Sequence, residues 1–379
     1  MKILHTSDLH IGKRVNEYSM LEEQKFILSK ILDIAKSEQP DAIIIAGDVY
    51  DKSLPSTEAV TLFDDFLVGL AALGKAIFII SGNHDSTERL SFGSRIMKNN
   101  KIYLSPVYDG QIQPVILKDG DTDFAFYMLP FIKPSMVKYF AGEDVDTKTY
   151  DSAMRYVISQ MDIDRSRRNV LIAHQFITGA ERTESEDFIV GGQENIDASV
   201  FDAFDYVALG HLHRPQSCGR KTIRYSGSPL KYSFSEVNDE KSLCIVEING
   251  HDEPKITKHA LKPYREWYDL RGTYDELTAK SFYDGKGYQE AFVRITLTDE
   301  EDIPDGKRKL DVIYHHLMEL RYDNKRTRAG ATLIGTPLEV NKLNPEQLFS
   351  ELFEKQNSHP LSDKQKEYLQ GVIEQIFNN

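Results

Sequence analysis

The sequence predicts an α/β fold in which two β-sheets lie between outer layers of helices, a four-layer α/β/β/α sandwich, followed by a small α+β domain and a helical tail. Three observations carry the prediction. Short apolar runs recur through the first 213 residues, each closed by Gly or a polar residue, as strands buried on both faces require. Helical stretches separate the first three runs, giving a βαβ start and a largely parallel sheet. After His174 the chain becomes strand-rich, which supplies a mixed second sheet.

Taken in order, residues 3–7 form the first strand. Residues 21–36 follow as a helix whose Leu21, Phe26, Leu28, Ile31, Leu32 and Ala35 make a broad apolar face. The strand 42–46 comes next. Residues 56–73 form a second helix, with Val60, Phe63, Leu67 and Leu70 at three- and four-residue steps and Gly74 as its stop. Strands follow at 76–80, 170–173, 206–209, 222–225 and 243–248, with a hairpin turn at Asn249-Gly250-His251-Asp252. Lys262-Pro263 marks the exit from this first domain, residues 1–263. Beyond it, strands at 266–271, 291–297 and 328–334 and a helix at 310–320, carrying Val312, Ile313, Leu317 and Leu320, form a small domain over 264–340. The tail, 341–379, has Pro345 in a first helical turn. Leu348, Phe349, Leu352 and Phe353 make one apolar stripe, and Tyr368, Leu369, Val372, Ile373 and Phe377 another. Such stripes pack on the same chain or dock in a groove of another protein.

Five of the strands run into motifs: Asp8-Leu9-His10, Gly47-Asp48, Gly82-Asn83-His84-Asp85, Ala173-His174 and Gly210-His211-Leu212-His213. A lone Asp-x-His or Gly-Asp arises often by chance, and a single His is more often a core or surface residue. Here five of the chain's 11 His fall inside the motifs, at the carboxyl ends of strands, where α/β sheets bind ligands. Carboxylates, one amide oxygen and several imidazoles can hold two divalent cations that share a bridging carboxylate. Such ions, roughly 3.5–4 Å apart, activate water and clamp the oxygens of an in-line displacement at phosphorus. A two-metal phosphoesterase site is therefore expected. Residues 69–76 have the spacing of a phosphate loop but end in Ala, and they sit between a helix and a strand, the reverse of the required order. No nucleotide site is expected.

Composition bounds the rest. A net charge of −13 argues against a stand-alone nucleic-acid binder, although short basic groups occur at 165–168, 307–309 and 325–328. Cys218 and Cys244 form no spacing pattern, and no charged segment with an apolar stretch opens the chain, so the cytoplasm is the expected compartment. No run of 18 apolar residues exists to span a membrane.

The motif order resembles that of the calcineurin-like metallophosphoesterase superfamily. The longer stretches Asp8-Leu9-His10-Ile11-Gly12-Lys13, residues 82–90, residues 206–216, Arg224-Tyr225-Ser226-Gly227-Ser228-Pro229-Leu230 and Tyr232-Ser233-Phe234-Ser235-Glu236 are similar to the SbcD family of bacterial nuclease subunits. The resemblance is strong over residues 1–250 and looser in the C-terminal third. It implies that Asp8, His10, Asp48 and His213 hold one ion and that Asp48, Asn83, His174 and His211 hold the second. His84 would face the scissile phosphate as a general acid, and Asp85 would orient His84 or a ligand. It further implies two Mn²⁺, with Fe or Zn compatible with the same ligands, and cleavage of double- and single-stranded DNA: 3′ to 5′ exonuclease action on duplex ends and endonuclease action on single strands and hairpins. A small capping domain would contact DNA. The implied partner is an SbcC-type coiled-coil ATPase, which would supply the basic surface and receive the tail, with the chain a homodimer inside a heterotetramer. The competing expectations are a small-molecule phosphatase or phosphodiesterase on the same site, and a scaffold that has lost its ligands. No expected ligand is missing.

Overall fold

The computed structural model describes residues 1–142, 144–186, 195–250, 252–301 and 303–325, together with Thr327, Phe349, Ser350, Phe353, Leu361, Ser362, Gln365, Lys366, Tyr368 and Leu369. The chain divides into two compact units, Met1–Asp269 with Glu290–Val293, and Leu270–Gln289 with Arg294–Asn379. The first unit contains two six-stranded sheets. One runs in the order Lys255–Ala260, Ser242–Glu247, Lys2–Thr6, Ala42–Ala46, Ala76–Ile80, Ile102–Leu104; the last four are parallel and the first two antiparallel. The other runs Gln216–Cys218, Arg220–Tyr225, Tyr206–Gly210, Arg168–His174, Thr122–Met128, Val115–Asp119, with four parallel strands inside and an antiparallel strand on each edge.

The alternation of side chains along each strand builds the layers. Ile3, Ile44, Phe78 and Ile80 from the first sheet are buried together with Phe124, Phe126, Val170, Ile172, Tyr206 and Ala208 from the second. Phe78 stacks on Phe126 with ring centroids 4.4 Å apart. The opposite face of the second sheet, with Ala125, Tyr127, Leu171, Val207 and Leu209, forms a separate core with Val137 of the helix Pro134–Ala141 and with Ala153, Met154 and Val157 of Tyr150–Ser159. The other outer layer comes from Leu21–Glu38, which buries Ile27, Leu28 and Ile31, and Thr57–Ala71, which buries Phe63, Phe66, Leu67 and Leu70. Ser56 caps the second of these helices through its hydroxyl, which accepts from Ala59 N at 3.3 Å. The four-layer architecture is as expected.

The first unit runs past residue 263 because Trp267 is buried between Phe234 and Phe292, at ring-centroid distances of 4.9 and 5.4 Å. A third sheet has three strands, ordered Trp267–Gly272, Phe292–Leu297, His316–Tyr322. The helix expected over 310–320 is corrected. A short helix, Gly306–Asp311, ends there, and residues 316–322 form a strand. The apolar positions that suggested one helical face do not share one, since Val312 is 76% exposed while Leu317 is buried. Pairing with Phe292–Leu297 outweighs local helical preference. The strand expected over 328–334 lies outside the described residues, as do the tail helices expected from Asn344 apart from isolated positions. Among the described residues no helix is long and apolar enough to cross a membrane.

Phe126→Ala would leave a cavity between the sheets and should lower unfolding free energy by about 3–5 kcal/mol, measured by urea denaturation. A loss below about 1 kcal/mol would mean that the two aromatic rings do not carry the inter-sheet contact.

Candidate metal centre

All seven expected ligands lie in the first unit, just beyond the carboxyl ends of five parallel strands, three in one sheet and two in the other. The chain turns sharply at these ends. Asp8, His10, Asp48 and His211 adopt φ of 53°, 44°, 48° and 102°, a left-handed region that non-glycine residues rarely enter and that costs of order 1–3 kcal/mol each. Backbone pairing holds the turns in place. Asp8 N donates to Gly47 O at 3.0 Å, His10 N to Asp48 O at 2.9 Å, and Ile11 N to Val49 O at 2.9 Å.

Asp48 stands at the centre. Its Oδ2 lies 3.6 Å from His10 Nε2 and 3.2 Å from His174 Nε2, while Oδ1 accepts from His84 N at 2.9 Å. On one side His10 Nε2 and His213 Nε2 face each other at 3.0 Å. On the other, Asn83 Oδ1 is 3.0 Å from both His174 Nε2 and His211 Nδ1. His174 Nδ1 donates to Ala46 O at 2.8 Å, which fixes the tautomer and leaves Nε2 as the ligating atom. Asp8 accepts from His211 N through Oδ1 at 2.9 Å and from the Ser7 hydroxyl through Oδ2. The ligand atoms of Asp8, His10 and His213 lie within 4.8 Å of one another, as do those of Asp8, Asp48 and His174 and those of His10, Asp48 and His84.

The electrostatics match a site built for cations. Burial, with the Asp48 charge added, pushes the Asp8 carboxyl up to about 7. Burial works against charge on His174 too, yet Asp48 and Asp8 draw it up to about 9. Burial takes His211 down to about 3 and His213 well below its usual range, so both rings are neutral and carry a lone pair. His10, which burial also lowers, and His213 have Nε2 atoms 3.0 Å apart, and two lone pairs there repel unless a proton or cation lies between them. The buried His10 Nδ1 has no hydrogen-bond partner, its nearest carboxylate oxygen, Asp51 Oδ1, being 3.6 Å away. A buried Asp8 carboxyl that resists ionisation, an Asp48 carboxylate that the surrounding histidines hold well below its usual range despite burial, neutral imidazoles and an amide oxygen are a donor set that divalent cations satisfy.

Asp85 has backbone partners. Its carboxylate accepts from Val49 N at 3.1 Å, Tyr50 N at 2.9 Å and Gly82 N at 2.9 Å, so it clamps the chain that carries Asp48 to the turn that carries Asn83. His84 donates Nδ1–H to Asp51 O at 3.0 Å, and its ring lies edge-on to His10 with centroids 4.8 Å apart. Sequence reasoning gave no role to Gln24, which braces the first turn by donating to His10 O at 2.7 Å and accepting from Gly12 N at 2.9 Å. Its place on the buried face of a helix was readable; its target was not. Two motif glycines are required by close approach. A Cβ on Gly82 would fall 2.1 Å from Asp48 Oδ1, and one on Gly210 would fall 1.9 Å from Ala46 O and 2.7 Å from His174 Nδ1.

Comparison with known proteins agrees with this geometry. Residues 1–215 match the calcineurin-like phosphoesterase family, and residues 263–357 match the type 5 capsule protein repressor C-terminal domain. The SbcD subunit of the nuclease SbcCD from Staphylococcus epidermidis is 34% identical, with 100% of this chain and 99% of that protein covered. The SbcD subunit from Staphylococcus saprophyticus is 32% identical, with 98% of each covered. The chain belongs to the calcineurin-like phosphoesterases and, within them, to the SbcD family of nuclease subunits. Its site is one for divalent metal ions.

Gly210→Ala should break the Ala46–His174 hydrogen bond and lower the affinity for divalent metal by at least about tenfold, as loss of an orienting partner typically does. Metal content of the purified variant equal to wild type would show that His174 does not depend on this approach.

Proposed function

We propose that this chain is the DNA-cleaving subunit of an SbcCD-type complex, a two-Mn²⁺ hydrolase of phosphodiesters acting in the cytoplasm on DNA ends during repair, replication and recombination. The observation that carries the reading is Asp48 Oδ2 lying between His10 Nε2 at 3.6 Å and His174 Nε2 at 3.2 Å, where one carboxylate can serve two ions. Asp8, His10, Asp48 and His213 would hold one ion, and Asp48, Asn83, His174 and His211 the other. Oxygen and imidazole donors suit Mn²⁺. When bound, the two cations supply Lewis-acid activation of water and neutralise charge developing on the phosphoryl oxygens.

The remaining steps belong to the side chains. With Nδ1 engaged by Asp51 O, proton transfer at His84 falls to Nε2, and delivery of a proton to the leaving oxygen makes it the general acid. Asp85 acts at one remove, holding the backbone on either side of Asp48 and Asn83 so that both ligand sets keep their spacing. Double-stranded ends would be trimmed 3′ to 5′, and single strands and hairpins opened internally. A chain of net charge −13 needs basic surface from elsewhere to hold DNA. The coiled-coil ATPase SbcC is the partner this reading assigns, with the tail beyond residue 344 as its attachment, the small domain against DNA, and two copies of this chain in a heterotetramer.

The first test is incubation of the purified chain with Mn²⁺ and a labelled DNA hairpin, beside a generic phosphodiester reporter and an Asp48→Ala control. Hairpin cleavage absent from the control and abolished by chelation is the expected result; hydrolysis of the reporter alone would favour a small-molecule substrate. His84→Gln should lower cleavage by about 10²–10⁴-fold, the usual contribution of a general acid, while both Mn²⁺ equivalents still bind. Loss of metal in that variant would make His84 a ligand instead.

A further inference from the structure

His213 is held from behind by a chain of groups to which the sequence motifs gave no role. Its Nδ1 lies 2.6 Å from Ser185 Oγ, and Ser185 Oγ lies 2.5 Å from Glu236 Oε1. The direct path from His213 Nδ1 to Glu236 Oε1 is 4.0 Å, too long for a hydrogen bond, so the serine hydroxyl is the link. Glu236 is fully buried and carries its charge against Lys241 Nζ, which also donates to His213 O at 2.8 Å. Ser233 Oγ donates to the same Glu236 oxygen at 3.0 Å. A second carboxylate, Glu186, accepts from His213 N at 2.6 Å and from Thr183 N at 2.7 Å. The segment from Thr183 to Glu186 is thereby fastened to the ligand's ring and to its backbone.

Proton counting sets the direction of each bond. An ionised carboxylate only accepts, so the Ser185 O–H points to Glu236 and its oxygen must accept from His213 Nδ1–H. His213 is then the Nε2 lone-pair tautomer, with Nε2 facing His10 Nε2 at 3.0 Å. Resting on the reading of this cluster as a metal centre, we infer that Ser185 and Glu236 are positioning residues for the ligand His213. They form a carboxylate–serine–histidine relay that fixes its tautomer and ring orientation and raises its donor strength. It is the counterpart on the first ion's side of what the Ala46 carbonyl does for His174 on the second. The relay predicts a selective effect: losing it weakens one of the two metal equivalents and leaves the other alone.

The experiment compares full-length wild type, Ser185→Ala and Ser185→Thr by calorimetric titration with Mn²⁺, with thermal melting of each metal-free chain as the check on folding. Ser185 is only half-buried and sits in a loop, so removal of its hydroxyl is compatible with folding. The expected result is a loss of about 10–100-fold in the affinity of one Mn²⁺ equivalent in Ser185→Ala, an unchanged second equivalent, an unchanged melting temperature, and recovery in Ser185→Thr, which restores the hydroxyl. Unchanged binding of both equivalents in Ser185→Ala would overturn the relay alone. Equal weakening of both equivalents, or no recovery with threonine, would also overturn it, since a loosened loop and not a fixed tautomer would then be the cause. Wild type that binds no Mn²⁺ would overturn the metal-centre reading itself and the relay with it.

Discussion

Everything at this site depends on the burial of Asp48. A carboxylate removed from water is costly unless charge and hydrogen bonds replace the lost hydration. Here they come from both sheets: His10 follows the strand Lys2–Thr6, and His174 ends Arg168–His174. Asp8, buried close by, resists ionisation because of its own burial and the Asp48 charge, and a cation between them would relieve both. The turns at Asp8, His10, Asp48 and His211 are strained, and their left-handed backbones persist because backbone pairing and the Asp85 clamp over-determine them. Strain at strand ends and unmet charge between sheets are two aspects of one arrangement, in which the packed core below holds ligands where they would not otherwise stay.

Much of this was legible because strands buried on both faces leave continuous apolar runs. Ala42–Ala46, Ala76–Ile80 and Tyr206–Gly210 stand where apolar stretches of four or five residues ended in Gly or a polar residue. The edge strands Val115–Asp119 and Lys255–Ala260 had no such signal, since half or more of their residues face solvent and Lys, Thr and Asp interrupt the run. Thr122–Met128 did have an apolar run, but no motif closes it and no expected element adjoined it. The helix expected over 310–320 failed for a different reason: apolar spacing cannot reveal that a neighbouring strand competes for the same residues. At the site, the types of ligand and their strand-end positions were readable, whereas the roles of Gln24, Ser185, Glu186 and Glu236 were not. Their contacts are to backbone groups, to one ring nitrogen or to the Ser185 hydroxyl, mostly far away in sequence, and no spacing rule encodes that.

Acidity and function are reconciled by separation of tasks. The negative groups at the centre are held against histidines, amides and backbone N–H donors, so the local demand is for cations, not for release of anions. The overall charge of −13 belongs to the surface, where it opposes approach of a polyanion without a basic partner.

The order of strands has a consequence for synthesis. Lys2–Thr6 comes before every other described strand in chain order, yet it lies inside its sheet, with Ala42–Ala46 on one side and Ser242–Glu247 on the other. Its second neighbour is made some 240 residues later, and the contact closes a very long loop. Asp8, His10 and Asp48 therefore wait, as an incomplete half-shell, through the making of most of the domain before the residues of the second sheet arrive. A chain that stops short of residue 213 lacks part of the donor set, however well its first sheet has formed.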